Sequence, residues 1–363
     1  MTRAPAIEHA NGTARPDPTL DRLFAPRPEG YLGADAALSI PLPDGRVLWV
    51  FGDTLVGRLE GRRRIIRGMP RNSVAIQHGC ASDPEAIEWT LTGPDGAWRS
   101  FFRLPEGGPA DKWLWVTAGV CLDAELFLFG YGVVAAPGDC EALSFRLVDS
   151  WLLRVRDVGG MPGDWRIEAS RLPFPSDGPW MCSSAWAGDG WVYLIGIQGR
   201  IDVSFRHLAA VLARVESGDL KERGGAAAFE FWTGPPGGER WSARPDALAP
   251  LFQPGPAECT VFWDAPRRRF VATTYQASRP EYLMTTAPAI TGPWSRPVLV
   301  YRAGGFEPAD EYLYYAFRMH PHLAAGPDDM ALTYIVNPRR VAGLTDATEL
   351  YYPRFLRLDL RCV

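Results

Sequence analysis

The feature that most constrains this chain is a unit that recurs five times: a short extended run, a turn rich in Asp or Gly, and a strongly apolar run of strand character. The turn and apolar run of each copy occupy residues 44–52, 123–130, 188–196, 263–275 and 326–336, and the turn markers Asp44, Asp123, Asp189, Asp264 and Asp328 are spaced by 79, 66, 75 and 64 residues. Further strand-like runs follow the apolar ones, as at 72–76, 149–155 and 208–215. Long helical periodicity is nearly absent, and 37 Gly and 33 Pro supply turns. Units of this kind cannot bury both faces of their sheet alone, and stacking them radially does so. The prediction is an all-β chain: a five-bladed β-propeller with four-stranded antiparallel blades around a central channel, forming a single domain over residues 26–363. Its last blade is closed by the run at 350–358. Residues 1–25, polar and Pro-rich, are predicted to be a disordered or extended lead-in. A β-sandwich or two stacked all-β domains is the competing architecture, but neither calls for five similar units.

Composition removes several functions. Apolar residues make up 47% and charged residues 22% of the chain, which allows a large core. A formal charge of -4 gives no basic footprint, so neither nucleic acid nor a membrane is a predicted partner. The 14 Trp, 12 Tyr and 17 Phe suit strands and surfaces on which sugars stack. Six cysteines, Cys80, Cys121, Cys140, Cys182, Cys259 and Cys362, are scattered without C-x-x-C spacing and read as reduced, mostly buried thiols. Residues 1–10 lack the apolar stretch of a signal peptide, and no segment approaches about 18 uncharged apolar residues. That predicts a cytoplasmic protein, or a secreted one if a leader has been removed. The sequon Asn11-Gly12-Thr13 falls in the lead-in and carries little weight.

Two aspartates eighteen residues apart bracket the first unit, Asp35 in Gly33-Ala34-Asp35 and Asp53 in Phe51-Gly52-Asp53-Thr54. If the turn is a two-residue Asp44-Gly45 turn, Asp35 faces Thr54 and Asp53 faces Ala36. Both carboxyls then sit at one end of the same hairpin, opposed residues being roughly 5 Å apart and diagonal ones roughly 7 Å. Paired carboxylates perform glycoside chemistry in that range. The same counting in the other units sets Trp115, Val116 and Thr117 opposite residues 130–132, Met181 opposite Gln198, and Ser183 opposite Gly196. It also sets Glu258 opposite Tyr275 and His320 opposite Ile335, with Asn337 just beyond. These residues gather at one mouth of the channel above apolar strands, with Arg71 and Asn72 beside them, and such a convergent polar cluster is the natural site.

Two close carboxylates do not ionise independently: repulsion and partial burial keep one protonated while the other stays charged. The plain alternative is that Asp35 caps a strand and Asp53-Thr54 makes an ordinary Asp turn. His320 and His322 share a face, but without Cys or carboxylate at ligand spacing no metal site is expected, and His320 is equally well read as a core imidazole. Arg62-Arg63-Arg64 and Arg267-Arg268-Arg269 read as solvated charges. Gly130-Tyr131-Gly132 lacks the strand-to-helix setting of a dinucleotide loop, and no cofactor is predicted.

Taken in order, Gly-Ala-Asp35, Phe-Gly-Asp53-Thr54, Arg71-Asn72-Ser73, Trp180-Met181-Cys182-Ser183-Ser184-Ala185, Glu258-Cys259-Thr260-Val261 and Met319-His320-Pro321 resemble the bacterial five-bladed propeller family that contains endo-D-arabinanases. The stretch 285–295, with Gly292-Pro293-Trp294, resembles a blade signature of furanosidase propellers more widely. The resemblance implies that Asp35 and Asp53 are the catalytic carboxylates, that Glu258 and His320 line the site, and that Trp180 belongs with it. The expected function is a glycoside hydrolase acting on a furanoside or related glycosidic bond, one Asp serving as general acid and the other as nucleophile or base. The partner would be a carbohydrate or glycosylated small molecule. Two alternatives stand beside it: a lyase, isomerase or cyclase acting on a small metabolite, and a non-catalytic sugar-binding propeller.

Overall fold

The computed structural model describes residues 12–79, 83–92, 96–105, 111–235 and 240–363. Five antiparallel sheets of four or five strands succeed one another along the chain. Sheet I holds Leu38–Pro41, Val47–Phe51, Ser73–Gln77 and Ile87–Thr90; sheet II holds Trp113–Leu122, Glu125–Ala135, Phe145–Val155 and Ile167–Arg171. Sheet III is built from Trp180–Gly188, Trp191–Gln198, Ala209–Glu216, Glu230–Trp232 and Trp241–Ser242, and sheet IV from Val261–Asp264, Arg269–Tyr275, Glu281–Ala287 and Val298–Arg302. Sheet V takes Tyr312–His320, Asp329–Pro338 and Arg354–Asp359, with Arg15–Pro16 as its outer strand. A three-stranded side sheet of Glu29–Ala34, Thr54–Glu60 and Arg63–Gly68 stands beside sheet I. Among the described residues no helix is long and apolar enough to cross a membrane.

The sheets pack face to face because their strands are apolar on both sides. In sheet I, Leu48 and Val50 enter one core with Leu114, Val116, Leu126 and Leu128 of sheet II, while Trp49 and Phe51 enter another with Ala331 and Phe355 of sheet V. That is the period-two alternation of a strand serving two interfaces. Their first strands adjoin as well: Trp113–Leu122 lies against Leu38–Pro41 and Trp180–Gly188, which in turn lies against Val261–Asp264.

Residues 15–24 are ordered, unlike the loose lead-in their composition suggests. Arg15 and Pro16 pair with Arg357 and Leu356, Asp17 accepts from the Thr19 and Leu20 amides at the head of the short helix Pro18–Asp21, and Leu20, Leu23 and Phe24 are buried. Phe24 packs edge-on to Trp49 at 4.7 Å. Three large apolar side chains outweigh a polar average. The N-terminal sequon position Asn11, residues 1–10 and Cys80 lie outside the described residues; Cys121, Cys140, Cys182, Cys259 and Cys362 are free thiols, Cys182 and Cys259 being buried.

Arginines expected in solvent are partly structural. Arg64 is 1% exposed and donates to the carbonyls of Leu32, Leu344, Ala347, Thr348 and Leu350, joining the side sheet to the loop that precedes the last strand. Arg267 and Arg269 both pair with the buried Asp264.

Turn chemistry explains where the hairpin counting succeeds. Gly188 pairs with Trp191 across the two-residue turn Asp189-Gly190, both central residues having positive φ, as a type I′ turn requires. In sheet I the loop has three residues, 43–45, since the Leu42 amide bonds to Arg46 O and Gly45 takes φ +83°. Leu38 therefore pairs with Val50 and Ala34 with Thr54, so the predicted pairing of Asp35 with Thr54 is off by one residue. Near the opposite end the register slips again in sheets II, III and V. Thr117 is an extra residue, residues 181–183 stand against Gly196 alone and residues 316–317 against Tyr334 alone; such bulges bend a strand and re-aim its side chains.

Candidate active site

The two aspartates occupy a break in one long hairpin. Glu29–Ala34 and Leu38–Pro41 run in succession on one side, Val47–Phe51 and Thr54–Glu60 on the other, and between them both chains leave the ladder. Ala36 and Ala37 take φ of +67° and +49°, which costs a residue bearing a Cβ about 1–2 kcal/mol each. The Asp35 carbonyl accepts from the Ala37 and Gly52 amides. Gly52 is required by proximity: a Cβ there would stand 2.2 Å from Asp35 Oδ1.

Asp35 Oδ2 accepts from the Tyr315 hydroxyl at 2.7 Å and lies 3.2 Å from the Tyr351 hydroxyl, which also lies 3.0 Å from the Asp53 carbonyl. Asn337 Nδ2 donates to Tyr315 Oη at 3.2 Å, leaving its buried Oδ1 without a partner. Asp53 has a different environment: Oδ2 faces Arg71 Nη1 at 2.9 Å and Oδ1 accepts from Trp115 Nε1 at 3.0 Å. Arg71 in turn lies over the Trp113 ring, 4.4 Å from its centroid.

Glu258 supplies a third carboxylate. It is 15% exposed at the side chain and lies 3.6 Å from Arg318 Nη2, while its amide donates to Tyr275 Oη. Arg318 is 1% exposed and donates to the carbonyls of Ala36, Cys259 and Thr117 at 2.8, 2.8 and 2.9 Å. One guanidinium thus fastens the Asp35 break, the Glu258 segment and the sheet II bulge to sheet V.

Electrostatics separate the three acids. Burial and the neighbouring charges of Glu258 and Asp53 push Asp35 well above its ordinary value. Burial also raises Asp53, but Arg71 and Trp115 oppose it; burial raises Glu258 against the pull of Arg318. Of the three acids, Asp35 has its charged form most disfavoured, whereas Asp53 has a guanidinium and an indole N–H to offset its burial.

The three acids, Arg71, Trp113, Trp115, Tyr275, Tyr315, Asn337 and Tyr351 line one cavity of about 370 Å³, together with Tyr131, Thr117 and an aliphatic wall that includes Leu143, Ile201 and Leu344. The cavity walls come from the bulged or broken first strands and from the segments that follow each second strand. Among the described residues no group of three or more His, Cys, Asp or Glu is arranged to hold a metal ion.

A family model described as a domain of unknown function, DUF5005, matches residues 17–359. The chain belongs to the DUF5005 family. No curated protein sequence matches it. Its fold is similar to that of a Bacteroides ovatus ATCC 8483 protein with a provisional hydrolase assignment, at TM-score 0.75 and 18% identity over 95% of this chain and 89% of that one. It is also similar to a Bacillus subtilis levansucrase variant (TM-score 0.52, 11% identity, 92% and 85% covered) and to a Coprinopsis cinerea GH62 α-L-arabinofuranosidase catalytic domain (TM-score 0.50, 10% identity, 97% and 98% covered). At these identities the likeness is one of fold.

Of the site residues predicted from sequence, this DUF5005 domain brings Asp35, Asp53, Arg71, Trp115, Glu258, Tyr275 and Asn337 to the cavity. Five others lie elsewhere. Asn72 is buried beneath it, bonded to the Phe102 and Leu114 carbonyls; Trp180 packs edge-on to Tyr131; Ser183 is buried in the sheet III bulge. Gln198 is exposed, its neighbour Ile197 lining the cavity instead. His320 pairs with Ala331, not Ile335, because residues 321–328 form a longer connection than a tight turn. Its ring is core, bonded to Ser39 Oγ at 2.7 Å and Thr333 Oγ1 at 2.8 Å, and burial lowers its pKa well below the usual imidazole value. The residue opposite Ile335 is Tyr315, one of the site residues that sequence reading missed along with Tyr351, Trp113 and Arg318.

Proposed function

We propose that this DUF5005 domain is a glycosidase that cleaves a furanoside or related glycosidic bond, its five sheets acting as the blades of a five-bladed propeller. The observation that carries this reading is the shared cavity of Asp35, Asp53 and Glu258, in which the partners of each acid differ. Asp35, crowded by two negative neighbours, donates its proton to the leaving oxygen. Its Oδ2 faces two phenols, so the proton resides on Oδ1. Asp53, steadied by Arg71 and the Trp115 indole N–H, supplies the anion facing the oxocarbenium-like centre, as base or nucleophile. The glycosidic C–O bond breaks as the Asp35 proton passes to the leaving oxygen. Water oxygen ends on the anomeric carbon and keeps one proton as the new hydroxyl, and the other water proton goes to Asp53 where it acts as base or to Asp35 where Asp53 acts as nucleophile, restoring the charge of the pair.

Two further facts support the reading: the fold is shared with proteins named levansucrase and α-L-arabinofuranosidase, and the motif order resembles that of the endo-D-arabinanase family. The test is turnover of a panel of 4-nitrophenyl furanosides and pyranosides in ¹⁸O-labelled water. The expected result is ¹⁸O at the anomeric carbon of the released sugar, lost in Asp35→Asn and Asp53→Asn. Product without solvent oxygen would indicate an isomerase or lyase instead, and undiminished turnover in both variants would end the carboxylate assignment.

A further inference from the structure

The cavity has a second character that carboxylate chemistry does not use. Away from the acids much of its lining is hydrocarbon: Leu143 and Phe145 from the second connection and third strand of sheet II, Ile201 and Phe205 from the segment after Trp191–Gln198, and Val341 and Leu344 from the segment after Asp329–Pro338. The polar Glu141 and Ser144 beside them are engaged with the Val341 amide and the Cys140 carbonyl. These segments are fastened to one another. The Val341 amide donates to Glu141 Oε2 at 2.9 Å, the Ala142 amide to the Arg339 carbonyl at 3.2 Å, and the Val203 amide to Asp139 Oδ2 at 3.0 Å. Residues 139–142 therefore strap sheet II to the segments following the second strands of sheets III and V, and these segments make one continuous wall of the cavity.

We propose, resting on the glycosidase reading, that the site takes a small glycoside end-on, the sugar at the acids and an apolar leaving group, an alcohol or phenol with a hydrocarbon body, against this wall. A second sugar in that position would set hydroxyls against aliphatic side chains, and each hydroxyl left without a partner costs about 1–3 kcal/mol. A hydrocarbon chain gains there about 0.8 kcal/mol per methylene buried, which is two- to fourfold in affinity for each one.

Calorimetric titration of the full chain with methyl, butyl and octyl α-L-arabinofuranosides tests this. Affinity is expected to climb two- to fourfold per methylene in the wild-type chain, and the slope to flatten in the double variant Leu143→Ser, Ile201→Ser. Both positions are only partly buried, and Val341→Ser gives a milder check if the double variant melts early. A flat series in the wild-type chain, no binding of the octyl glycoside, or tighter binding of arabinotriose than of the octyl glycoside would overturn the inference. The series is repeated in the Asp53→Asn chain, where no turnover adds heat to the titration, so the two readings fail separately. A chain that hydrolyses glycosides with a flat series refutes only the apolar wall; one that binds octyl glycoside and hydrolyses nothing refutes only the glycosidase.

Discussion

Gly52→Ala asks whether the position of Asp35 depends on its neighbour having no side chain. The added Cβ would stand 2.2 Å from Asp35 Oδ1, and to regain an ordinary 3.4 Å contact the carboxyl must retreat by about 1.2 Å, a displacement of the size that costs about 10²-fold in rate when it falls on a reacting group. Backbone strain does not enter, because Gly52 is not among the residues with positive φ. The conflict is with a side chain held on its other oxygen by Tyr315 and Tyr351, so relaxation pulls on those bonds too, and the crowding costs about 1–3 kcal/mol. The clash needs both partners. In an Asp35→Ala background Gly52→Ala is expected to cost almost nothing, giving a coupling of about 1–3 kcal/mol in a double-mutant cycle read by urea unfolding. Steady-state kinetics on the best 4-nitrophenyl glycoside supplies the rate. Undiminished kcat/KM in Gly52→Ala, or equal destabilisation in both backgrounds, would refute the reasoning.

Asp35→Asn is expected to lower kcat about 10²–10⁴-fold while raising stability at pH 8. Asp35 has a folded pKa above its ordinary value of 3.8, so its contribution is fully present below that value and is lost as pH rises through the folded pKa. The variant's advantage in thermal midpoint at pH 8 should shrink toward zero at pH 4; a constant difference would contradict the sign. Arg318→Met leaves three carbonyls and Glu258 unpaired in the interior, and unfolding by guanidinium should register a loss of about 3–5 kcal/mol, partly recovered by Glu258→Gln; a loss below about 1 kcal/mol would deny the arginine its central part. His320→Ala should cost about 2–4 kcal/mol of stability through its lost bonds and the cavity left behind, with kcat/KM of the folded protein within about twofold of wild type. A large kinetic defect in a stable His320→Ala protein would return that histidine to the site.

The repeated strand–turn–strand units were legible because they rest on strong local signals. Asp189-Gly190 makes a two-residue turn, and the apolar strands it joins are buried on both faces. Less local events were not. The N-terminal strand Arg15–Pro16 gains its order from pairing with Arg357 and Leu356, more than three hundred residues away, and neither partner carries a mark of it. Arg64 sits in an arginine run that reads as solvated, and only the five carbonyls converging on it reveal why it is buried.

In the site, errors followed the bulges. Counting outward from each turn is reliable as long as the ladder is regular, and in sheet IV, where no shift interrupts Val261 pairing with Ala272, it put Glu258 beside Tyr275 correctly. In sheets II and III it holds only as far as Ala118 and Ser184, after which one or more extra residues intervene. Those two bulges did leave a trace in the sequence: each faces a glycine in an otherwise apolar strand. A Cβ on Gly130 would lie 2.2 Å from Trp115 O, and one on Gly196 2.4 Å from Trp180 O, so the crowded partner strand excludes any side chain there. Sheet V offers no such trace. Its bulge at 316–317 lies across from Tyr334, and the long connection at 321–328 hides behind Pro327-Asp328. That pairing error exchanged Tyr315 for His320. The distinction is physical: a bulge that needs its partner strand close is recorded as a glycine, whereas one that turns on its own positive φ, as at Ala316, is recorded nowhere. The residue that such a bulge re-aims, here the tyrosine that holds Asp35, is therefore the kind that sequence counting loses first.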